Sequence, residues 1–150
     1  MNKMSRQLQA DWPNHISYDK DDIEIARFYS NIHGATREEN SIFFEKRQID
    51  IFLLAMAIGK DMNSRVKLEN SSQSIRRDAL TEEEVWLMCC VALSEKDTDL
   101  ETLADSKTII RICEEYANGG IKALIRLDQR ADINNKQYEE FLEDAINKLN

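Results

Sequence analysis

The chain has 150 residues, with 28 Asp and Glu against 20 Lys and Arg, for a formal net charge of −8. Gly and Pro together number 5, where average usage would give roughly 18. With 42% apolar residues, these counts argue against a disordered linker, an all-β sandwich or barrel with its glycine-consuming turns, and a generic basic nucleic-acid coat.

The length fits one domain, which at this size buries about 70% of its unfolded surface. No apolar run is long enough to cross a membrane. The N-terminal MNKMSRQLQADWPNH lacks the apolar core of a signal peptide, so the cytoplasm is the expected location. Residues 1–20 hold the sole proline and no sustained period. They read as an arm, with Trp12 and Tyr18 as anchors, preceding a single helical domain over 21–150. A first helix is expected at 21–33. Asp21, Asp22 and Glu24 suit its positive end and Gly34 stops it, with Ile25, Phe28, Tyr29 and Ile32 as the inner stripe.

The spacing predicts a second helix at about 41–58, capped by Ser41 and ended by Gly59. Its IDIFLLAMAI run is apolar on every side, which places it centrally. A buried strand over 51–58 is the alternative, and Leu-Leu-Ala-Met-Ala favours helix. A polar connector covers 60–80, a length that in compact domains often marks function or mobility. Thr81-Glu-Glu-Glu84 is a capping box opening a second central apolar helix at about 82–95. Short helices follow at 100–105 and 107–118, headed by Asp99 and Ser106. Asn118-Gly119-Gly120 is expected to break or bend the chain. Helical spacing resumes at 121–127, and a last helix spans about 135–148. The fold expected is an all-α bundle of roughly five to seven helices.

Catalytic and metal signals are weak. His15 and His33 have no readable Ser or Cys partner, and a His near a helix end commonly serves the dipole. Cys89, Cys90 and Cys113 lack CxxC spacing and sit in apolar runs, so buried reduced thiols are expected. No phosphate-binding or dinucleotide-binding glycine motif occurs. Asp97, Asp99 and Glu101 imitate an EF-hand start, but Thr102 and Thr108 stand where the glycine and the bidentate Glu belong. DLETLADSKTIIRICEEY makes a poor helix-turn-helix, with too short a turn and Glu114 and Glu115 on the reading helix. Neither a cofactor nor a metal is expected.

The connector departs from the acidic trend. Residues 60–77 carry Lys60, Arg65, Lys67, Arg76 and Arg77 against Asp61 and Glu69, a net +3. Such a segment on an acidic body can meet phosphates while the body repels DNA. It could equally pair with the acidic helices of its own domain.

The runs FLLAMAIGKDMNSRVKL, TEEEVWLMCCVAL and ICEEYANGGIKALIRL resemble the DNA phosphorothioation (Dnd) system-associated protein 4 family, over about residues 43–127. Glu114, Glu115, Tyr116, Ala117, Asn118, Gly119, Gly120 and Ile121 form the most distinctive piece. Asn63-Ser64 stands where a glycine is expected in the basic turn, and Asn tolerates the left-handed conformation that turn calls for. The resemblance implies a setting in anti-phage defence, beside systems that put sulfur in the DNA backbone and restrict unmodified DNA. It brings no catalytic motif.

Three functional expectations follow. The first is a non-enzymatic accessory protein that binds protein components of a DNA-modification or restriction system, and DNA through the five basic residues of 60–77. The second is an acidic helical adaptor or inhibitor acting through protein contacts alone. The third is a small enzyme, requiring an exposed cysteine with a depressed pKa near His33.

Overall fold

The structure is a computed structural model that describes residues 12–71, 75–95, 99, 101, 105–133, 143 and 145–148. Four helices organise these residues: α1 (Ile23–Tyr29), α2 (Gln48–Asp61), α3 (Glu82–Leu93) and α4 (Ser106–Ile133). A two-stranded antiparallel ribbon, β1 (His15–Ile16) with β2 (Ile75–Arg76), completes the set. The all-α class and the two apolar central helices are as the sequence predicts. The expected last helix falls mostly outside the described residues, which do include a helical Ala145–Lys148.

Local chemistry sets most of the boundaries. Asp22 caps α1, its carboxylate accepting from the Ile25 N–H at 3.1 Å. The Thr81 box forms in full: Thr81 Oγ1 accepts from the Glu84 N–H at 3.3 Å, and the Glu84 carboxylate accepts from the Thr81 N–H at 3.0 Å. α1 runs only from Ile23 to Tyr29, short of the expected 21–33, which leaves Ile32 exposed outside it, and the starts of α2 and α4 differ from expectation as well. α2 begins at Gln48 instead of 41, because Ser41 spends its hydroxyl on Asp128 of α4, at 2.9 Å, and Glu45 has a φ of 63° that interrupts any helix there. Arg47 heads α2, with the Asp50 carboxylate accepting from its backbone N–H at 2.8 Å. α4 is headed by Asp105 rather than Ser106, through bonds from the Thr108 N–H and hydroxyl.

α2 ends at Asp61, not at Gly59, and Asn63 turns the chain with a φ of 52°. Asn therefore supplies the left-handed residue for which a glycine was the expectation. Gly119 and Gly120 do not break the chain either. α4 runs through them as one 28-residue helix.

Ion pairs fix the relation of α2 to α3. Arg47, at the start of α2, pairs with Glu84 in the first turn of α3 at 3.1 Å. Lys60, near the end of α2, lies 3.9 Å from Glu95, just beyond α3. Like ends meet, so the two helices run side by side in the same direction. α4 crosses α2 in the opposite sense, with Tyr116 beside Gly59 and Gly120 beside Ala55. Phe52 and Met56 of α2, Val85 and Met88 of α3, and Ile109, Ile112, Ile121 and Leu124 of α4 form the fully buried centre. Ile16 and Ile75 of the ribbon close one side, and Trp12 is buried with them. Tyr18 stacks on Tyr29 of α1 at 4.3 Å between ring centroids. Lys122 of α4 holds the start of α1 through Asp22 at 2.9 Å, and this partner keeps the Asp22 carboxyl below the usual carboxylate range.

Candidate functional site

The connector is laid over the segment 114–121 of α4. After Asn63, the Ser64 N–H donates to the Gly59 carbonyl at 2.8 Å, and the Val66 N–H donates to the Glu115 carbonyl at 3.0 Å. Asn118 Nδ2 donates to the carbonyls of Val66 and Lys67, at 3.2 and 3.4 Å. Further on, the Lys20 N–H donates to the Asn70 carbonyl at 3.0 Å and Ser71 bridges Asp19. Residues 64, 66 and 67 are thus tied to α2 and α4, and residues 70 and 71 to the N-terminal segment, through backbone groups.

Glycine makes this contact possible. A Cβ on Gly119 would stand 1.8 Å from the Ser64 carbonyl oxygen, and one on Gly120 would stand 2.0 Å from the Ala55 carbonyl oxygen. A Cβ on Gly59 would stand 1.9 Å from the Tyr116 carbonyl oxygen. The three glycines bring two backbones and a loop into direct contact, and no other residue fits.

The five basic residues of the connector separate into different environments. Lys60 and Arg65 converge on Glu95, and Arg65 Nε also donates to Glu115 at 2.7 Å, with Lys60 Nζ 5.1 Å from the Tyr116 ring centroid. Burial and a bond to Glu95 push the Tyr116 phenol up to about 12. Lys67 is exposed. Arg76 and Arg77 lie apart from that cluster, on β2 and the short 3-10 turn after it. Arg76 pairs with Asp78 at 2.7 Å, both side chains well exposed, while Arg77 donates to the Trp12 carbonyl at 2.7 Å.

Glu114 stands under the N-terminal segment, where its carboxylate accepts from the Ser17 N–H. Burial raises its carboxyl to about 7, the neighbouring Glu115 adds to the rise, and the bonds to Ser17 oppose it. Sequence reasoning used Glu114 as an argument against a DNA-reading helix and assigned it no role of its own; the signal for its inward placement was available, since Ile110, Cys113, Glu114 and Ala117 share one helical side.

The cysteines divide. Cys89 and Cys113 are buried, whereas Cys90 is exposed, contrary to the expectation that all three are buried. α3 turns Leu87 and Cys90 outward while Met88, Cys89 and Ala92 face the core. Burial pushes the Cys89 thiol up to about 11 and Cys113 well above its ordinary value. His33 lies in an exposed turn, lining a groove of about 640 Å³ with Phe28 and Ile125. Among the described residues, no group of three or more His, Cys, Asp or Glu could hold a metal ion, and no helix is long and apolar enough to cross a membrane.

The exposed side of α2 and that of α3 are each uncharged through the middle. Leu54 and Ala57 of α2 and Leu87 and Cys90 of α3 are exposed, with Leu53, Ile58, Trp86 and Leu93 half-buried beside them. Charges resume at the ends, with Glu83 and Arg47 at one and Lys60 and Asp61 at the other.

The family model for DNA sulphur modification system-associated protein 4 matches residues 23–148. The chain belongs to this family. The match contains α1 to α4 and the whole connector, a longer stretch than the resemblance over 43–127. Comparison with curated proteins gives no match, and comparison with solved structures gives none.

Proposed function

We propose that this protein is a non-catalytic accessory component of a DNA sulphur modification system, acting by holding another protein of that system against the α2–α3 face. The observation that carries this reading is the exposure of Leu54, Ala57, Leu87 and Cys90 on two helices tied side by side. Exposed apolar side chains rimmed by charge are a common mark of a protein interaction surface. Membership in a family named for its association with such a system supports the choice of partner. The buried, poorly ionised Cys89 and Cys113 argue against thiol chemistry at those two positions.

The test is co-expression with the proteins of a DNA sulphur modification system. The wild type co-purifies with one of them, and Leu54→Lys/Leu87→Lys loses it while keeping its helical circular dichroism. Undiminished co-purification of that variant would overturn the reading. Contact with DNA through 60–77 is the second reading. Lys60 and Arg65 are held by Glu95 and Glu115 at the body of the protein, so its support lies in the exposed Lys67 and Arg76, with Arg77 beside Arg76 on the turn after β2.

A further inference from the structure

We propose that the cleft between the β1–β2 ribbon and the first half of α4 binds the phosphodiester backbone of DNA. This rests on the DNA-contact reading and extends it from Arg76 and Arg77 to Asn14, His15 and Lys107, which that reading did not contain.

Two adjoining cavities, of about 350 and 390 Å³, share Asn14 and His15 as a common wall. One is bounded by Arg76 and Arg77, the other by Ser71 and Lys107. Four segments distant in sequence therefore bring cationic or hydrogen-bond-donating groups to a single cleft. His15 and Arg76 are direct partners across the ribbon, so their side chains stand on the same face of it. Lys107 lies in the first turn of α4, on the side that also carries Ile110 and Glu114 into the cleft.

The acids nearby do not cancel this arrangement. Asp78 pairs with Arg76 in an exposed geometry, which a phosphate oxygen can displace at small cost because such surface pairs contribute little. Asp105 caps α4 through Thr108 and stays ionised, so it offsets part of the Lys107 charge and leaves Arg76 and Arg77 untouched. Glu114 is turned to the Ser17 N–H, and its raised pKa lightens its charge near neutrality. Arg77 is held in place by the Trp12 carbonyl, so its planar donor fork is already oriented, which favours phosphate over a point-charge partner. Elsewhere the chain is acidic, with a net −9 over residues 78–150. A polyanion is repelled by that body and accepted along the cleft.

The experiment is fluorescence anisotropy of a labelled DNA duplex with the full chain, from about 50 to about 200 mM salt. Arg76→Ala/Lys107→Ala is the test variant, since both side chains are exposed and their loss spares the core. Arg126→Ala, exposed on the second half of α4, is the control. The wild type binds at low salt, and the double variant binds at least tenfold more weakly, with a salt slope shallower by about 2. Arg126→Ala behaves as wild type. Wild-type binding that survives unchanged in the double variant overturns the cleft and leaves DNA contact standing. Absence of wild-type binding at the lowest salt overturns both. Competition by a polyglutamate peptide at equal charge concentration overturns the assignment to a nucleic acid. None of these outcomes bears on partner capture by the α2–α3 face.

Discussion

Replacing Gly120 by alanine tests the closest contact in the fold. The added methyl would stand 2.0 Å from the Ala55 carbonyl oxygen and 2.5 Å from the Gly59 nitrogen. An ordinary carbon–oxygen contact is about 3.3 Å or longer, so α2 and α4 must separate by roughly 1 Å, or one must bend. Both neighbours are backbone atoms, which no rotamer change moves aside. Overpacking of this kind costs about 1–3 kcal/mol, and separating the helices also loosens Phe52, Met56 and Leu124 beside the crossing. Against this stands the helix-propensity gain of Gly→Ala, about 1 kcal/mol. The net expectation is a loss of about 2 kcal/mol, a fall in Tm of roughly 4–8 °C for a chain of this size. Gly59→Ala meets Tyr116 at 1.9 Å and should cost a similar amount. The double variant should cost clearly less than the two singles added, because one separation accommodates both methyls. Urea unfolding followed by far-UV circular dichroism measures all three. Ala57→Gly, on the exposed side of α2, gives the propensity term alone. Gly120→Ala more stable than wild type, or strict additivity of the pair, would refute the close crossing.

Other perturbations read the same structure. Glu114 carries a carboxyl raised to about 7 by burial, against about 4.3 when unfolded. The folded state keeps a proton that the unfolded chain releases. Its contribution is therefore fully present below about pH 4.3 and is lost as the pH rises to about 7, a fall of roughly 4 kcal/mol at most. Glu114→Gln should flatten that profile and raise the urea midpoint at pH of about 8; a wild-type midpoint constant across the interval would count against it. Thiol labelling of the native protein should modify Cys90 quickly and Cys89 and Cys113 only on unfolding, and simultaneous reaction of all three would contradict their burial. Asn118→Ala removes the donor to Val66 and Lys67. It should raise hydrogen exchange over 64–71 while sparing α3, and unchanged protection there would show that the clamp holds without it.

What the sequence displayed was local chemistry. Asp22 and Thr81 each act within three residues of their own position, so helix starts at those points were readable. The apolar runs of α2 and α3 were likewise readable as helices. Ser41 failed as a cap because its partner, Asp128, is 87 residues away. Gly119-Gly120 looked like a break because local rules price glycine by its freedom, and only the path of α2 reveals that space was the reason. The charge of 60–77 was legible, but its partition was not. Arg65 finds Glu115 50 residues on, while Arg76 and Arg77 come to lie beside His15 through strand pairing. α2 and α3 were read as apolar all round and therefore central, and each does put one side into the core. The exposure of Leu54, Ala57, Leu87 and Cys90 on their other sides was not legible, because an all-apolar run does not mark which side faces out.

The segment Glu114–Ile121 carries the most distinctive part of the family resemblance, and its residues are engaged within the chain. Glu114 accepts from Ser17, Glu115 holds Arg65, Tyr116 lies under Lys60, and Asn118 binds the connector. Gly119 and Gly120 admit Ser64 and Ala55, while Ala117 and Ile121 are buried. A residue used this way answers to the fold, so substitutions here should act on stability first and on any partner second. Chemistry directed outward has to come from side chains that the fold leaves exposed. The α2–α3 face and the cleft beside the ribbon meet that condition, the first offering apolar surface and the second cations. Leu54→Lys/Leu87→Lys and Arg76→Ala/Lys107→Ala should therefore leave the unfolding free energy from urea titration within about 0.5 kcal/mol of wild type, while Asn118→Ala lowers it. If instead the exposed-face variants unfolded easily and Asn118→Ala did not, the division between scaffold and surface would be drawn in the wrong place.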